Sequence, residues 1–270
     1  MKPIVAAVQM TSGPDVAANV AVADRWLRAA AEAGACVAVL PENFAFMGLR
    51  DGDKLKVAED EGRGFVQDAI AKLAASLKLW IIAGTLPVRI EGERRVAAAS
   101  LVFDADGKRV ARYDKIHLFD VDVPGRDESH RESTSIRPGD RVVTVETPAG
   151  RVGLSVCYDV RFPELYRRMA AEGAQWLVVP AAFTVPTGRA HWELLLRARA
   201  VENLAFVVAP GQSGVHPSGR ETYGDSLIVD HWGEILSRLP QGEGIVTARF
   251  DLDAQRRVRE AFPALSHRRL

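Results

Sequence analysis

Apolar and polar positions along the chain switch between two periods, and the switches mark out strands and helices. Ile4 to Met10 is a β-branched, apolar run that predicts a strand. Asn19 to Ala33 places Val22, Trp26, Ala29 and Ala30 at helical spacing and stops at Gly34, so it predicts a helix. Cys36 to Leu40 is continuously apolar, as a strand buried on both faces must be, and Pro41 ends it. Helix Phe65 to Leu77, strands Trp80 to Thr85 and Ala99 to Phe103, a turn at Asp104-Ala105-Asp106-Gly107 and return strand Arg109 to Tyr113 follow. Lys115 to Asp140 is long and polar, with Pro124-Gly125 and Pro138-Gly139, and predicts a functional loop. Beyond it come strand Val142 to Glu146, turn Pro148-Ala149-Gly150, strand Val152 to Val156, helix Pro163 to Ala171 and strand Trp176 to Val179. Helix Ala190 to Asn203, strand Ala205 to Ala209, the hairpin of Ser226 to Val229 with Glu234 to Leu236, strand Gly244 to Phe250 and a helix opened by Asp251 complete the chain.

Gly34-Ala35 leading to Val39-Leu40-Pro41 echoes Gly173-Ala174 leading to Val178-Val179-Pro180, which suggests two related β–α–β halves. Strands interleaved with helices imply an α/β fold, and the hairpins make its sheets mixed. Many strands with few helices point to two sheets packed face to face with helices outside. No linker or change of composition interrupts the chain, so one domain over 1–270 is expected.

Composition narrows the function. Lys plus Arg equals Asp plus Glu at 35 each, which leaves no electrostatic footprint for nucleic acid or an anionic membrane. Two cysteines, Cys36 and Cys157, do not make a disulfide scaffold and favour a reducing cytoplasm. No apolar run is long enough to span a bilayer, and the N-terminus lacks the pattern of a secretion signal.

Cys157 closes an apolar strand and precedes a helix, the place where α/β proteins present reactive groups. A thiol there is exposed at a sharp turn, with the following backbone N–H groups near a developing oxyanion. Free cysteine is also among the most buried residue types, so position alone leaves both readings open. Cys36, inside a strand, reads as core. A cysteine nucleophile needs a base. Glu42 ends a buried strand in the way Cys157 does, while His117, His130, His191, His216 and His231 lie in no recognised catalytic pattern. Lys115 and Glu132 sit in the polar loop, where charge is ordinarily solvated.

Taken together, several blocks spanning nearly the whole chain resemble the nitrilase superfamily of carbon–nitrogen hydrolases. Leu40-Pro41-Glu42 is similar to the general-base block, Tyr113-Asp114-Lys115-Ile116-His117-Leu118 to the catalytic-lysine block and Arg131-Glu132-Ser133 to the block of a supporting glutamate. The run from Gly153 through Cys157-Tyr158-Asp159-Val160-Arg161-Phe162-Pro163-Glu164-Leu165 is similar to the nucleophile block. Cys-Tyr-Asp with Arg-Phe-Pro-Glu resembles the Nit amidase branch, as do Thr187 to Glu193, Leu196 to Asn203 and Tyr223 to Ser226. Arg189 and Asp225 depart from that pattern, which often has Pro and His there.

The resemblance implies an α-β-β-α sandwich formed by one carbon–nitrogen hydrolase domain. It implies Glu42, Lys115, Cys157 and Glu132 as the catalytic set, with Tyr158, Phe183, Thr184 and His191 at the oxyanion and substrate. The implied reaction is hydrolysis of a terminal carboxamide of a small acidic, deaminated glutathione-like metabolite through a cysteinyl thioester, releasing ammonia. No metal or cofactor is called for, and a homodimer is expected. Alternatives are an ω-amidase on α-ketoglutaramate-type amides, a thioester-based acyltransferase and, least in keeping with an intact catalytic set, a scaffold.

Overall fold

A computed structural model describes residues 2–122 and 129–269; Pro124-Gly125 lies outside the described residues. The first half runs β1 (Ile4–Gln9), α1 (Val16–Glu32), β2 (Val37–Val39), α2 (Phe65–Leu77), β3 (Trp80–Ile82), β4 (Leu86–Arg89), β5 (Val96–Phe103) and β6 (Arg109–Asp114). A small hairpin, β7 (Asp120–Asp122) with β8 (Ser129–Arg131), follows. The second half runs β9 (Thr144–Thr147), β10 (Gly150–Leu154), α3 (Pro163–Ala171), β11 (Trp176–Val178), α4 (Val185–Asn203) and β12 (Phe206–Ala209). Hairpin β13 (Ser213–Val215) with β14 (Glu221–Tyr223), then β15 (Ser226–Val229), β16 (Ile235–Leu239), β17 (Gly244–Arg249) and α5 (Leu252–Ala261) close it.

The sheets have matching centres. In one, β1, β2 and β3 are parallel neighbours; in the other, β10, β11 and β12 are. Antiparallel strands flank both, with sheet orders β17-β1-β2-β3-β5-β4 (β6 also on β5) and β16-β15-β12-β11-β10-β9. The Gly-Ala echo therefore falls at equivalent turns, where Gly34 (φ 79°) and Gly173 (φ 89°) end α1 and α3 in the left-handed region. In the first sheet, Val5, Ala7, Val37, Val39 and Ile82 face the second sheet, while Ala6, Val8, Ala38 and Ile81 face α1 and α2. This period of two makes an α-β-β-α sandwich with its main core between the sheets.

Helix α4 begins at Val185, ahead of the expected Ala190. Pro186 and Gly188 read as breakers, but proline is tolerated in the first turn, where its missing N–H has no partner. Gly188 is required by close approach, since a Cβ there would lie 2.2 Å from the Tyr223 ring. Strand β4 and the hairpin β13–β14 were not expected, being short and partly polar. The polar stretch from Lys115 also carries structure, in β7, β8 and the turn at Glu132–Thr134.

Candidate active site

Glu42, Lys115, Glu132 and Cys157 line one cavity at the carboxyl ends of the central strands. Glu42 follows β2 through Leu40-Pro41, and Cys157 follows β10 through Ser155-Val156. The two are not equivalent by topology, because the counterpart of Glu42 in the second half is Ala181. That counterpart loop meets Glu42 directly: the Ala182 N–H donates to Glu42 Oε2 at 2.9 Å. Gln212 Nε2 also donates to the Glu42 carbonyl at 3.0 Å, fixing the loop.

Lys115 is 1 % exposed, although its sequence neighbourhood is polar. Its Nζ donates to Glu42 Oε1 at 2.8 Å and to Glu132 Oε2 and Oε1 at 2.8 and 3.1 Å. Burial alone would strip its proton, but the charges of Glu132 and then Glu42 outweigh burial and hold the ammonium well above its ordinary range. Burial likewise opposes the Glu132 charge, yet Lys115 and Lys54 keep that carboxyl below its usual range. The Phe119 N–H donates to Glu132 Oε2 at 2.8 Å. Two carboxylates thus share one ammonium, leaving net negative charge beside the thiol.

Cys157 sits at φ 48°, in the left-handed region that costs a non-glycine residue about 1–2 kcal/mol. Its N–H donates to the Pro180 carbonyl at 2.9 Å, which holds this strained turn against the end of β11. Burial pushes the thiol well above its usual range, the Glu42 charge adds to this, and Lys115 opposes it. The sulfur shares the cavity with the Glu42 carboxylate, which itself accepts the Ala182 N–H. The nucleophile candidate therefore rests as a thiol, with a carboxylate base lining the same cavity.

Tyr158, Phe183 and Thr184 also line the cavity. His191 does not. It lies on the exposed side of α4, with Nδ1 3.4 Å from Arg161 Nη1, because the helical phase that buries Trp192 turns its neighbour outward. His117 is no base for the thiol either: its Nδ1 is 2.7 Å from Asp159 Oδ1 and its ring stacks on Phe162 at 3.7 Å. Among the described residues, no group of three or more His, Cys, Asp or Glu side chains is arranged to hold a metal ion.

Sequence reasoning missed Asp159, Ala182, Gln212, Lys54 and Arg220. Only Ala182 had a signal, since Pro180-Ala181-Ala182 occupies the place that Pro41-Glu42-Asn43 takes in the first half. The others act through partners distant in sequence.

The pattern of the family described as carbon-nitrogen hydrolase matches residues 4–260. The chain belongs to this family. A deaminated glutathione amidase from Synechocystis is 40% identical to this carbon-nitrogen hydrolase over 272 residues, covering 99% of each chain. Saccharomyces cerevisiae Nit3, a member of branch 10 of the nitrilase superfamily, superposes with a TM-score of 0.89 at 32% identity, over 100% of this chain and 97% of its own. A glutamate-to-glutamine mutant of the amidase from Nesterenkonia sp. AN1 carries the product of Michael addition of acrylamide at its active-site cysteine. It superposes with a TM-score of 0.80 at 26% identity, over 97% of this chain and 98% of its own.

Proposed function

We propose that this protein hydrolyses an amide C–N bond of a small acidic metabolite through a thioester on Cys157. The observation that carries the reading is the buried Lys115 ammonium shared by Glu42 and Glu132 in the cavity that holds the Cys157 thiol.

Glu42 takes the thiol proton as sulfur attacks the amide carbon. Negative charge develops on the carbonyl oxygen, and the Lys115 ammonium and the Tyr158 backbone N–H stabilise it; a preorganised donor of this kind contributes roughly 3–4 kcal/mol. The tetrahedral centre collapses, the C–N bond breaks, and the leaving nitrogen takes the proton from Glu42. Water then attacks the thioester with Glu42 as base, releasing the acid and the thiol. Glu132 holds Lys115 in place and supplies the second negative charge that keeps it protonated.

The deaminated glutathione amidase relatives favour a substrate of that kind. Deaminated glutathione carries no primary carboxamide; its C–N bonds are secondary amides. On that substrate the leaving group is an amine and not ammonia, which refines the sequence expectation. Ammonia would be the product from a primary carboxamide such as that of an ω-amido keto acid. Arg161, with its guanidinium 5.4 Å from the Phe183 ring, reaches the acyl side of the cavity and suits a carboxylate there.

Hydrolysis of deaminated glutathione and of α-ketoglutaramate, followed by the acid formed, tests the reading. Turnover of one of them that Cys157→Ala abolishes supports it; undiminished turnover in Cys157→Ala rejects the nucleophile. Hydroxylamine in the same assay separates transfer from hydrolysis, because an acyltransferase diverts its thioester to the hydroxamate in preference to water.

The same reading includes a homodimer and a reducing, cytoplasmic compartment that keeps Cys36 and Cys157 as thiols. Leu194 and Val201 on α4 are exposed, and Trp232 and Phe262, also exposed, meet edge to face at 6.1 Å. Such apolar side chains on one flank suit a second copy. Light scattering that returns a monomer would refute the dimer.

A further inference from the structure

Gln212 joins three segments that lie far apart in sequence. It follows β12 through Pro210-Gly211, is fully buried, and is not among the side chains that line the cavity. Its Nε2 donates to the Glu42 carbonyl at 3.0 Å and to Ser12 Oγ at 2.8 Å, while its Oε1 accepts from the Ser12 N–H at 2.9 Å. Ser12 Oγ in turn donates to the Phe44 carbonyl at 2.9 Å. The loop after β2 is therefore held on both sides of Asn43.

The backbone of Gln212 reaches the same glutamate by a second route. Its N–H donates to the Ala181 carbonyl at 2.8 Å. A trans peptide points its C=O and its N–H to opposite sides. The Ala181–Ala182 unit is thus gripped by Gln212 on one side and donates to Glu42 Oε2 at 2.9 Å on the other. The bonds close a ring that leaves Glu42 at its carbonyl and returns at its carboxylate. Hydrogen bonds linked in this way inside a protein polarise and stiffen one another.

Glu42 needs this hold. The next residue, Asn43, sits in the left-handed region at φ 57°, with its N–H donating to Thr85 Oγ1 at 2.8 Å. Lys115 anchors Oε1 alone, and a carboxylate held at one oxygen can turn about that contact. In the thioester route Glu42 receives the thiol proton, hands it to the leaving nitrogen and then draws a proton from water. Its free lone pairs must keep one direction through all three transfers.

We propose that Gln212 is a positioning residue for the general base, fixing Glu42 at its carbonyl directly and at its carboxylate through the Ala181–Ala182 peptide. Gln212 itself touches no reacting atom. Its loss leaves the lining of the cavity in place and lets the carboxylate swing. The effect therefore falls on kcat, while KM, which the lining sets, stays. The inference rests on the reading of Glu42 as the base.

Two variants and two measurements test it. Gln212→Met removes the side-chain bonds and nearly keeps the shape. At pH 8 its kcat should fall about tenfold or more, with KM within about threefold, on whichever of deaminated glutathione and α-ketoglutaramate the wild type hydrolyses. Hydrogen exchange at the Ala182 amide, followed by NMR on selectively alanine-labelled protein, should quicken about tenfold, while Ala7 in β1 keeps its wild-type rate. Gln212→Glu also keeps the shape. Its buried carboxyl donates when protonated and repels the Glu42 carbonyl when ionised, so its kcat deficit against wild type should shrink from pH 8 to pH 6. Wild-type kcat in both variants at pH 8, a fall in kcat matched by a rise in KM, a Gln212→Glu deficit that ignores pH, or Ala182 exchange that is unchanged or quickens no more than Ala7 would overturn the assignment. The exchange measurement needs no substrate, so it decides the hold on Glu42 separately from the thioester reading, which is judged on wild-type turnover and its loss in Cys157→Ala.

Discussion

The Tyr113 hydroxyl donates to Asp159 Oδ2 at 2.6 Å, and this bond ties the segment that presents Lys115 to the turn that presents Cys157. The fully buried Asp159 also accepts from the Val156 N–H at 2.8 Å and from the His117 N–H at 3.0 Å. One carboxylate thus gathers the residues flanking Lys115 and those flanking Cys157, joining the two sheets at the point where they must cooperate. Burial, and then the Asp159 charge, push the Tyr113 phenol well above its usual range, so it remains a donor.

Tyr113→Phe should therefore separate positioning from packing. The ring still fills its place, while a buried carboxylate oxygen loses a partner, at a cost of about 1–3 kcal/mol. The expected kinetic signature is a several-fold lower kcat with KM nearly unchanged, because Lys115 and Cys157 lose their mutual register. A variant with lowered stability and wild-type kcat would reduce the bond to a structural one.

Lys115→Met carries a larger stability cost than its polar sequence setting suggests. A lysine in a solvated loop is replaced at little cost, but this one is buried and lies between the Glu42 and Glu132 carboxylates. Removing it leaves Glu42 without its cation and Glu132 with the Lys54 charge and the Phe119 N–H alone, and breaking a buried pair costs about 3–5 kcal/mol. The deficit should shrink on acidification toward pH 4, as protonation relieves the carboxylates. The wild type responds in the opposite sense. The lowered Glu132 carboxyl contributes stability that is present above the unfolded carboxyl range and is lost as pH falls through its folded value. Urea unfolding of both proteins at pH 7 and pH 4.5 checks this; equal midpoints at pH 7 would refute it.

The contrast at Lys115 shows what the sequence displays and what it hides. Helices Phe65–Leu77 and Pro163–Ala171 were legible to the residue, because their apolar faces repeat and Pro163 and Gly173 bracket the second. Placing Glu42 and Cys157 at strand ends was legible because Pro41 and the Tyr158-Asp159 turn interrupt apolar runs. The burial of Lys115 was not, since its partners lie 73 and 17 residues away and only the meeting of the sheets supplies them. The same holds for Asp159, whose bonds to Tyr113 and His117 span 46 and 42 residues. The family resemblance assigned roles without supplying these distances. It also drew His191 into the site, where the phase of α4 turns it away.

The state of the Cys157 thiol gives a test by chemical modification. Burial and the Glu42 charge keep it protonated, so alkylation by iodoacetamide should be slow at neutral pH and should rise only above the ordinary cysteine range. In Glu42→Gln the opposing charge is gone and Lys115 remains, so the thiol should ionise at lower pH. Alkylation at pH 8 should then run faster than in the wild type while turnover is lost. A slower or unchanged rate would contradict the electrostatic account. Stability follows the same sign: a thiol raised on folding contributes stability that is present below its unfolded value, about 8.5, and declines as pH climbs beyond it.

Asp225 departs from the Nit pattern, and its surroundings explain how the chain accommodates it. It is buried at φ 59° and accepts from Arg238 Nε at 2.6 Å and Nη2 at 2.8 Å. Its carbonyl accepts from Trp192 Nε1 at 2.8 Å, and Trp192 packs against Phe183 at 4.8 Å between ring centroids. The ion pair thus steadies a cavity-lining aromatic through one tryptophan. Because the Arg238 side chain is 37 % exposed, water screens the pair, and Arg238→Met should cost about 1–2 kcal/mol and not the full penalty of a buried ion. KM should rise several-fold with a smaller change in kcat, because Phe183 shapes the cavity without touching Cys157 chemistry. Arg238→Lys should recover little, since an ammonium cannot span both carboxylate oxygens as the guanidinium does. Asp225→His in the Arg238→Met background removes the orphaned carboxylate and should restore stability toward wild type. If that double variant is no more stable than Arg238→Met alone, the ion pair is not what holds this turn.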